Sequence, residues 1–116
     1  MTIEFSDDGY GGVNLRLTQA DARAWLDALQ AGVYELATIR EDRPFALHLR
    51  PSAQEWIRIQ ALSCVIAVDE ESLEYLRFRL DEFLRRGQMH SELWHMPDIK
   101  SGRDRWVYLF DAAIPA

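Results

Sequence analysis

The sequence predicts a single α+β domain over residues 1–116, a largely antiparallel sheet of about six or seven strands packed against two helices. Three observations predict it. Two segments repeat apolar residues at helical spacing between clear caps, and several short runs alternate apolar and polar residues between turn signals. The length of 116 residues, with 48% hydrophobic and 28% charged, suits one globular core and leaves no linker or low-complexity tract to divide it.

In chain order, Gly9-Tyr10-Gly11-Gly12 predicts a turn between the first two strands. Val13, Leu15 and Leu17 then alternate with Asn14 and Arg16 as a half-buried strand. Thr18 caps the first helix, with Asp21 in its first turn. Ala22, Trp25, Leu26 and Leu29 share its buried face, and Gly32 supplies a left-handed stop. Asp42-Arg43-Pro44 predicts a turn before a strand in which Phe45, Leu47 and Leu49 alternate with Ala46, His48 and Arg50.

Residues 52–62 carry two readings. Ser52-Ala53-Gln54-Glu55 matches a helical capping box, yet Trp56-Ile57-Arg58-Ile59-Gln60 alternates, is β-rich and follows the Phe45–Arg50 strand by a hairpin-length gap, which favours a hairpin with that strand.

The second helix is expected at about 70–86. Asp69 caps it, and Glu70 and Glu71 sit where the helix dipole favours negative charge. Val68 and Leu73 are spaced as a hydrophobic staple. Leu73, Leu76, Leu80, Phe83 and Leu84 form its buried stripe, Asp81–Arg85 and Glu82–Arg86 pair across its outer side, and Gly87 ends it. Val65–Val68 and Trp106–Phe110 are apolar on both faces. They suit strands covered on both sides, or strands with one face on the helices and the other against a partner.

Composition excludes several functions. Nineteen Asp and Glu against thirteen Lys and Arg give a net charge of −6, which argues against a phosphate-tracking nucleic-acid binder. Cys64 is the only cysteine, so an internal disulfide is impossible; in its apolar run it reads as a buried, unreactive thiol. The N-terminus has neither the basic nor the apolar region of a signal peptide, and no stretch is apolar enough to span a bilayer, so a cytoplasmic protein without membrane attachment is expected. P-loop, dinucleotide-binding and nucleophile-elbow motifs are absent.

One cluster invites chemistry: His90-Ser91-Glu92-Leu93-Trp94-His95-Met96-Pro97-Asp98. On an extended strand His90, Glu92, Trp94 and Met96 share one face while Ser91, Leu93 and His95 take the other. Two histidines five apart cannot then meet on one metal without a bulge, and the remaining deaminase ligands are missing. A metal or acid–base site from His90, Glu92, His95 and Asp98 is therefore the minor reading, and neither cofactor nor metal is expected. The acidic cluster Asp69–Glu74 invites a cation-binding or nucleic-acid-mimic reading, but helix capping already explains its first three positions; Asp7-Asp8-Gly9 is turn chemistry.

Four tryptophans are many for a core this small. Trp25 fits the first helix's inner stripe, whereas Trp56, Trp94 and Trp106 lie on strands. Two readings stand equally: at least one of these rings lies on the sheet face away from the helices, where rings among charges have the makeup of a protein-binding surface, or the rings form a second small cluster under the 97–104 loop.

From Val65 to Asp111 the order is an apolar strand, Asp-Glu-Glu-Ser-Leu-Glu-Tyr-Leu, a long amphipathic helix ending at Gly87, a strand with His90 and Leu93, and a final apolar strand. This order resembles small bacterial immunity proteins of polymorphic-toxin systems. The resemblance implies a short, acidic, cytosolic, non-enzymatic protein that neutralises a cognate toxin by covering its active site or wedging it in an inactive shape. Under it, Glu92, Trp94, His95 and Asp98 are the expected partner-binding residues. The alternative is a structural or regulatory subunit that forms a homodimer through an apolar sheet face or edge strand.

Overall fold

The computed structural model describes residues 2–88 and 90–113, His90 by its backbone alone. In chain order these form β1 (Glu4–Asp7), β2 (Gly12–Leu17), α1 (Gln19–Gln30), β3 (Glu35–Arg40), β4 (Arg43–Pro51), β5 (Trp56–Ile59), β6 (Ser63–Val68), α2 (Glu70–Arg86), β7 (His90–Pro97) and β8 (Asp104–Asp111). The α+β class and the two helices are as expected, with eight strands in the one sheet.

The helices follow their local signals. Thr18 and Asp21 form a reciprocal capping box at α1, and Gly32 takes φ +77° just past its end. Asp69 accepts a hydrogen bond from the Ser72 N–H, and Gly87 closes α2 at φ 80°. Asp81 and Arg85 pair at 3.0 Å, but Glu82 turns back to Arg79 at 2.8 Å. No helix among the described residues is long and apolar enough to cross a membrane.

Two local expectations need correction. The β3–β4 turn is Glu41–Asp42, both at positive φ (51° and 61°), while Arg43 and Pro44 already belong to β4. Two left-handed residues in a two-residue loop match the twist of the strands they join. Pro44 is tolerated because β6 joins β4 only from Ala46 onward, leaving this end of β4 unpaired on that side. Residues 56–59 are a strand, and its hairpin partner is the following β6 rather than β4. Ser52 accepts from the Gln54 N–H in a local turn, so no helix starts there.

The sheet order is β5-β6-β4-β3-β1-β2-β8-β7. Antiparallel pairing joins each hairpin, β1–β2, β3–β4, β5–β6 and β7–β8; parallel pairing joins β2 to β8, β4 to β6 and β1 to β3. The edge strands β5 and β7 also meet, through the parallel bridge Ile57↔Asp98 and a 2.9 Å hydrogen bond from the Ile99 N–H to the Ile57 carbonyl. The sheet therefore closes on itself at a single point.

This arrangement is a duplication that the sequence does not display. Each half runs strand, strand, helix, strand, strand, with β1 matching β5, β2 matching β6, α1 matching α2, β3 matching β7 and β4 matching β8. The seams agree in detail. β2 pairs β8 over six positions from Gly12↔Trp106 to Leu17↔Asp111, and β6 pairs β4 over six from Ser63↔Ala46 to Val68↔Pro51. The loose seams match as well: β1 touches β3 only at Glu4↔Ile39, as β5 touches β7 only at Ile57↔Asp98. Counting from the caps, Ala22, Trp25 and Leu29 of α1 fall where α2 has Leu73, Leu76 and Leu80, and all six are buried. The halves share apolar positions rather than residue identities, which is why no repeat is legible in the sequence.

The inward residues of the strands and the inner stripes of both helices form one core cluster. Cys64 lies within it, fully buried. Burial, reinforced by the nearby Asp98 charge and opposed by Arg40 and Arg105, pushes its thiol up to about 12, so it is inert at neutral pH.

Candidate partner-binding face

β8 splits its side chains by strict alternation. Val107, Leu109 and Asp111 are buried, while Trp106, Tyr108 and Phe110 are half-buried on the outer face. The run that reads as apolar on both sides is thus an inner aliphatic row and an outer row of rings.

β7 does not keep a simple alternation. Glu92 stands opposite Tyr108 and Trp94 opposite Val107, so Leu93 is an extra residue in a β-bulge. The bulge shifts the phase by one. Ser91, Leu93, Trp94 and Met96 are buried, and Glu92 and His95 share the exposed face. This corrects the expectation that Glu92, Trp94 and Met96 lie together with His95 opposite. Trp94 is 6% exposed and its indole N–H donates to the Ser72 carbonyl in the first turn of α2 at 3.3 Å. It is a core ring that locks β7 to α2.

Asp98 is also turned inward. Only 4% exposed, it accepts from the N–H groups of Lys100 (2.9 Å) and Ser101 (3.2 Å) and from Arg105 Nε (3.2 Å). Arg105 continues to Asp7 at 2.9 Å. Asp98 therefore shapes the loop between β7 and β8 and ties it to the end of β1. With Asp98 inside and His95 outside, the structure does not bring these two together as ligands. Among the described residues no group of His, Cys, Asp and Glu could hold a metal ion. The expected His90 contribution lies outside the described side chains.

What remains on the outer face is organised around Trp106. The His95 imidazole stacks on its indole with centroids 4.7 Å apart and planes 13° from parallel. His95 Nε2 also lies 3.5 Å from Asp104 on the rim. On the other side Trp106 lies against Gly11, where an added Cβ would come within 3.1 Å of the ring. The Trp106 N–H donates to the Gly11 carbonyl at 2.8 Å. The ring is thus held flat between a glycine and a histidine. Tyr108 follows in the next row, with Asn14 and Glu92 opposite it on the neighbouring strands, and its ring is 6.0 Å from that of Phe110. Glu92 and His95 are the two expected partner residues that belong to this face. Trp106 and Tyr108 complete it. Their signal was the large–branched alternation from Trp106 to Phe110, hidden because both sets are apolar.

No protein-family model matches the chain, and no curated protein or solved structure was found to be similar to it.

Proposed function

We propose that this protein is a non-enzymatic immunity protein that binds a cognate bacterial toxin and neutralises it by occluding the toxin's active site. The observation that carries the reading is the Trp106–His95 platform with Tyr108 and Glu92: a stacked, partly exposed ring set rimmed by charge on the outer face of the sheet. A ring already fixed in place loses little further freedom on docking, which favours affinity. The net charge of −6 supports a cationic partner, because opposite potentials steer encounter. The resemblance of residues 65–111 to immunity proteins supplies the toxin.

Co-expression with the toxin encoded beside this chain tests the proposal. Wild-type protein is expected to co-purify with the toxin and restore growth, and Trp106→Ala to weaken binding by about 2 kcal/mol or more while the protein stays folded. Neighbouring genes without a toxin, and no rescue from any candidate toxin, would defeat it. A concentration-dependent dimer lost in Trp106→Ala would instead assign the face to a second copy of the chain.

A further inference from the structure

The two helices are equivalent in the fold but not in what they show outward. At the exposed positions of α1 stand Ala20, Arg23, Ala24 and Asp27; counting from the caps, α2 has Glu71, Glu74, Tyr75 and Phe78 there. Tyr75 is 41% and Phe78 52% exposed, on the side of α2 opposite its buried stripe. No core contact explains two rings on the polar side of an amphipathic helix.

Both rings border an open groove of about 640 Å³ between α2 and β7. Its floor is Leu93 and Trp94, brought side by side by the bulge, and its remaining wall is Glu55, Asp69, Glu71, Ser72 and Glu74. No cationic side chain lines it among the described residues. Arg77 stands beside it, paired with Glu74 and with Glu70 at 3.2 Å, and Arg79 lies 6.0 Å over the Tyr75 ring while paired with Glu82 at 2.8 Å. Glu55 accepts from the Ser72 hydroxyl, and Asp69 from the Ser72 N–H. Among the described residues no ion pair joins Glu71 to a cation.

We propose that the α2–β7 groove is a docking site for a cationic, apolar-anchored segment of a partner protein: Lys or Arg against Glu55, Asp69, Glu71 and Glu74, and an apolar side chain between Tyr75 and Phe78 over Leu93. The charge selects this occupant. A second copy docking the same groove on itself would oppose four carboxylates with four carboxylates, and a nucleic acid or anionic lipid would meet the same repulsion. A cationic segment gains attraction at the wall and buries two rings that water now touches. The site lies on a different surface from the Trp106 platform and does not rest on the toxin reading.

The test titrates isotope-labelled full-length protein with a short synthetic peptide of lysine and leucine, and with its glutamate–leucine counterpart. Amide shifts are expected to cluster at residues 69–78 and 93–94 for the cationic peptide alone. Phe78→Ser and the double variant Glu71→Lys/Glu74→Lys, each checked for native circular dichroism, are expected to weaken binding by about tenfold or more. Asp27→Lys at the matching place on α1 should stay within about twofold. No binding, shifts spread over the outer sheet face, or an equal loss with Asp27→Lys would overturn the proposal. Toxin rescue retained in Phe78→Ser would separate the groove from the platform, since Trp106→Ala should abolish rescue and leave peptide binding intact.

Discussion

The first half of the molecule, β1–β2–α1–β3–β4, and the second, β5–β6–α2–β7–β8, solve the same folding problem with different side chains. At the base of each helix a hydroxyl donates to a carboxylate, but the polarity is exchanged. Thr2 from the start of the chain donates to Asp21 on α1, whereas Ser72 on α2 donates to Glu55 just before β5. At the loose seams, Arg40 lies 5.3 Å over the Phe45 ring in the first half, and the matching pair in the second is Asp98 with Arg105 at 3.2 Å. These exchanges conserve a contact. The outer faces do not: where β4 carries Ala46, His48 and Arg50, β8 carries Trp106, Tyr108 and Phe110, and β7 has a bulge where the β3–β4 register runs without a shift. Positions that must satisfy the fold trade one contact for another, and positions that diverge without compensation mark where the second half does something more.

The largest test of that distinction is between two tryptophans on paired strands. Trp94→Ala empties a buried site and removes the link to Ser72, so a loss of about 3–5 kcal/mol is expected in urea unfolding. Trp106→Ala removes a ring that water still partly reaches and should cost less, about 2 kcal/mol. Equal losses would place the Trp106 ring in the fold's stability rather than on a docking face. Next in size is Gly11→Ala. Gly11 has φ +99° and lies under the Trp106 ring, so a methyl group adds about 1–2 kcal/mol of left-handed strain and tilts the indole. The expected result is lower stability together with a changed tryptophan emission that Trp106→Phe abolishes.

How much of this was legible in the sequence depends on the range of the signal. The helices were, because caps such as Thr18 and Asp69 and stripes such as Leu73, Leu76 and Leu80 are written within a few residues. The parallel pairings of β2 with β8 and β4 with β6 were not, since no local pattern names a partner strand many residues away. The bulge at Leu93 was illegible for another reason: Leu-Trp reads equally well with either residue inward, and only packing against α2 draws in both. That one extra residue moved Trp94 from the expected contact set into the core and set His95 beside Glu92. Asp98 was misplaced because its burial depends on Arg105 and on loop N–H groups that close around it.

A smaller effect lies in the acid response of the α1 base. Burial acts to raise the Asp21 pKa, but hydrogen bonds from the backbone and hydroxyls of Thr18 and Thr2 outweigh it and leave the carboxyl below its ordinary value of 3.8. A lowered pKa gives stability that is complete above the ordinary carboxylate range and lost as pH falls through the lowered value. Acid titration below about pH 4 should therefore cost the wild type more stability than it costs Asp21→Asn, whose neutral amide has no such dependence. Parallel acid curves for the two proteins would remove Asp21 as the titrating cap.

The smallest effect bears on what the charged side chains of α2 contribute. Asp81 and Arg85 pair at 3.0 Å on the outer side of α2, both more than half exposed. Exposed helix pairs contribute only about 0.3–0.5 kcal/mol, so Asp81→Ala should lower stability by no more than that, and high salt should erase the difference. If thermal unfolding bears this out, exposed ion pairing contributes little to α2, and the helix dipole is left as the structural account of Glu70 and Glu71. Tyr75 and Phe78 lie beyond that first turn, and the matching side of α1 carries no rings, which is the difference the proposed docking groove would account for. A loss of several times that size, insensitive to salt, would instead make the acidic face of α2 part of what holds the helix together.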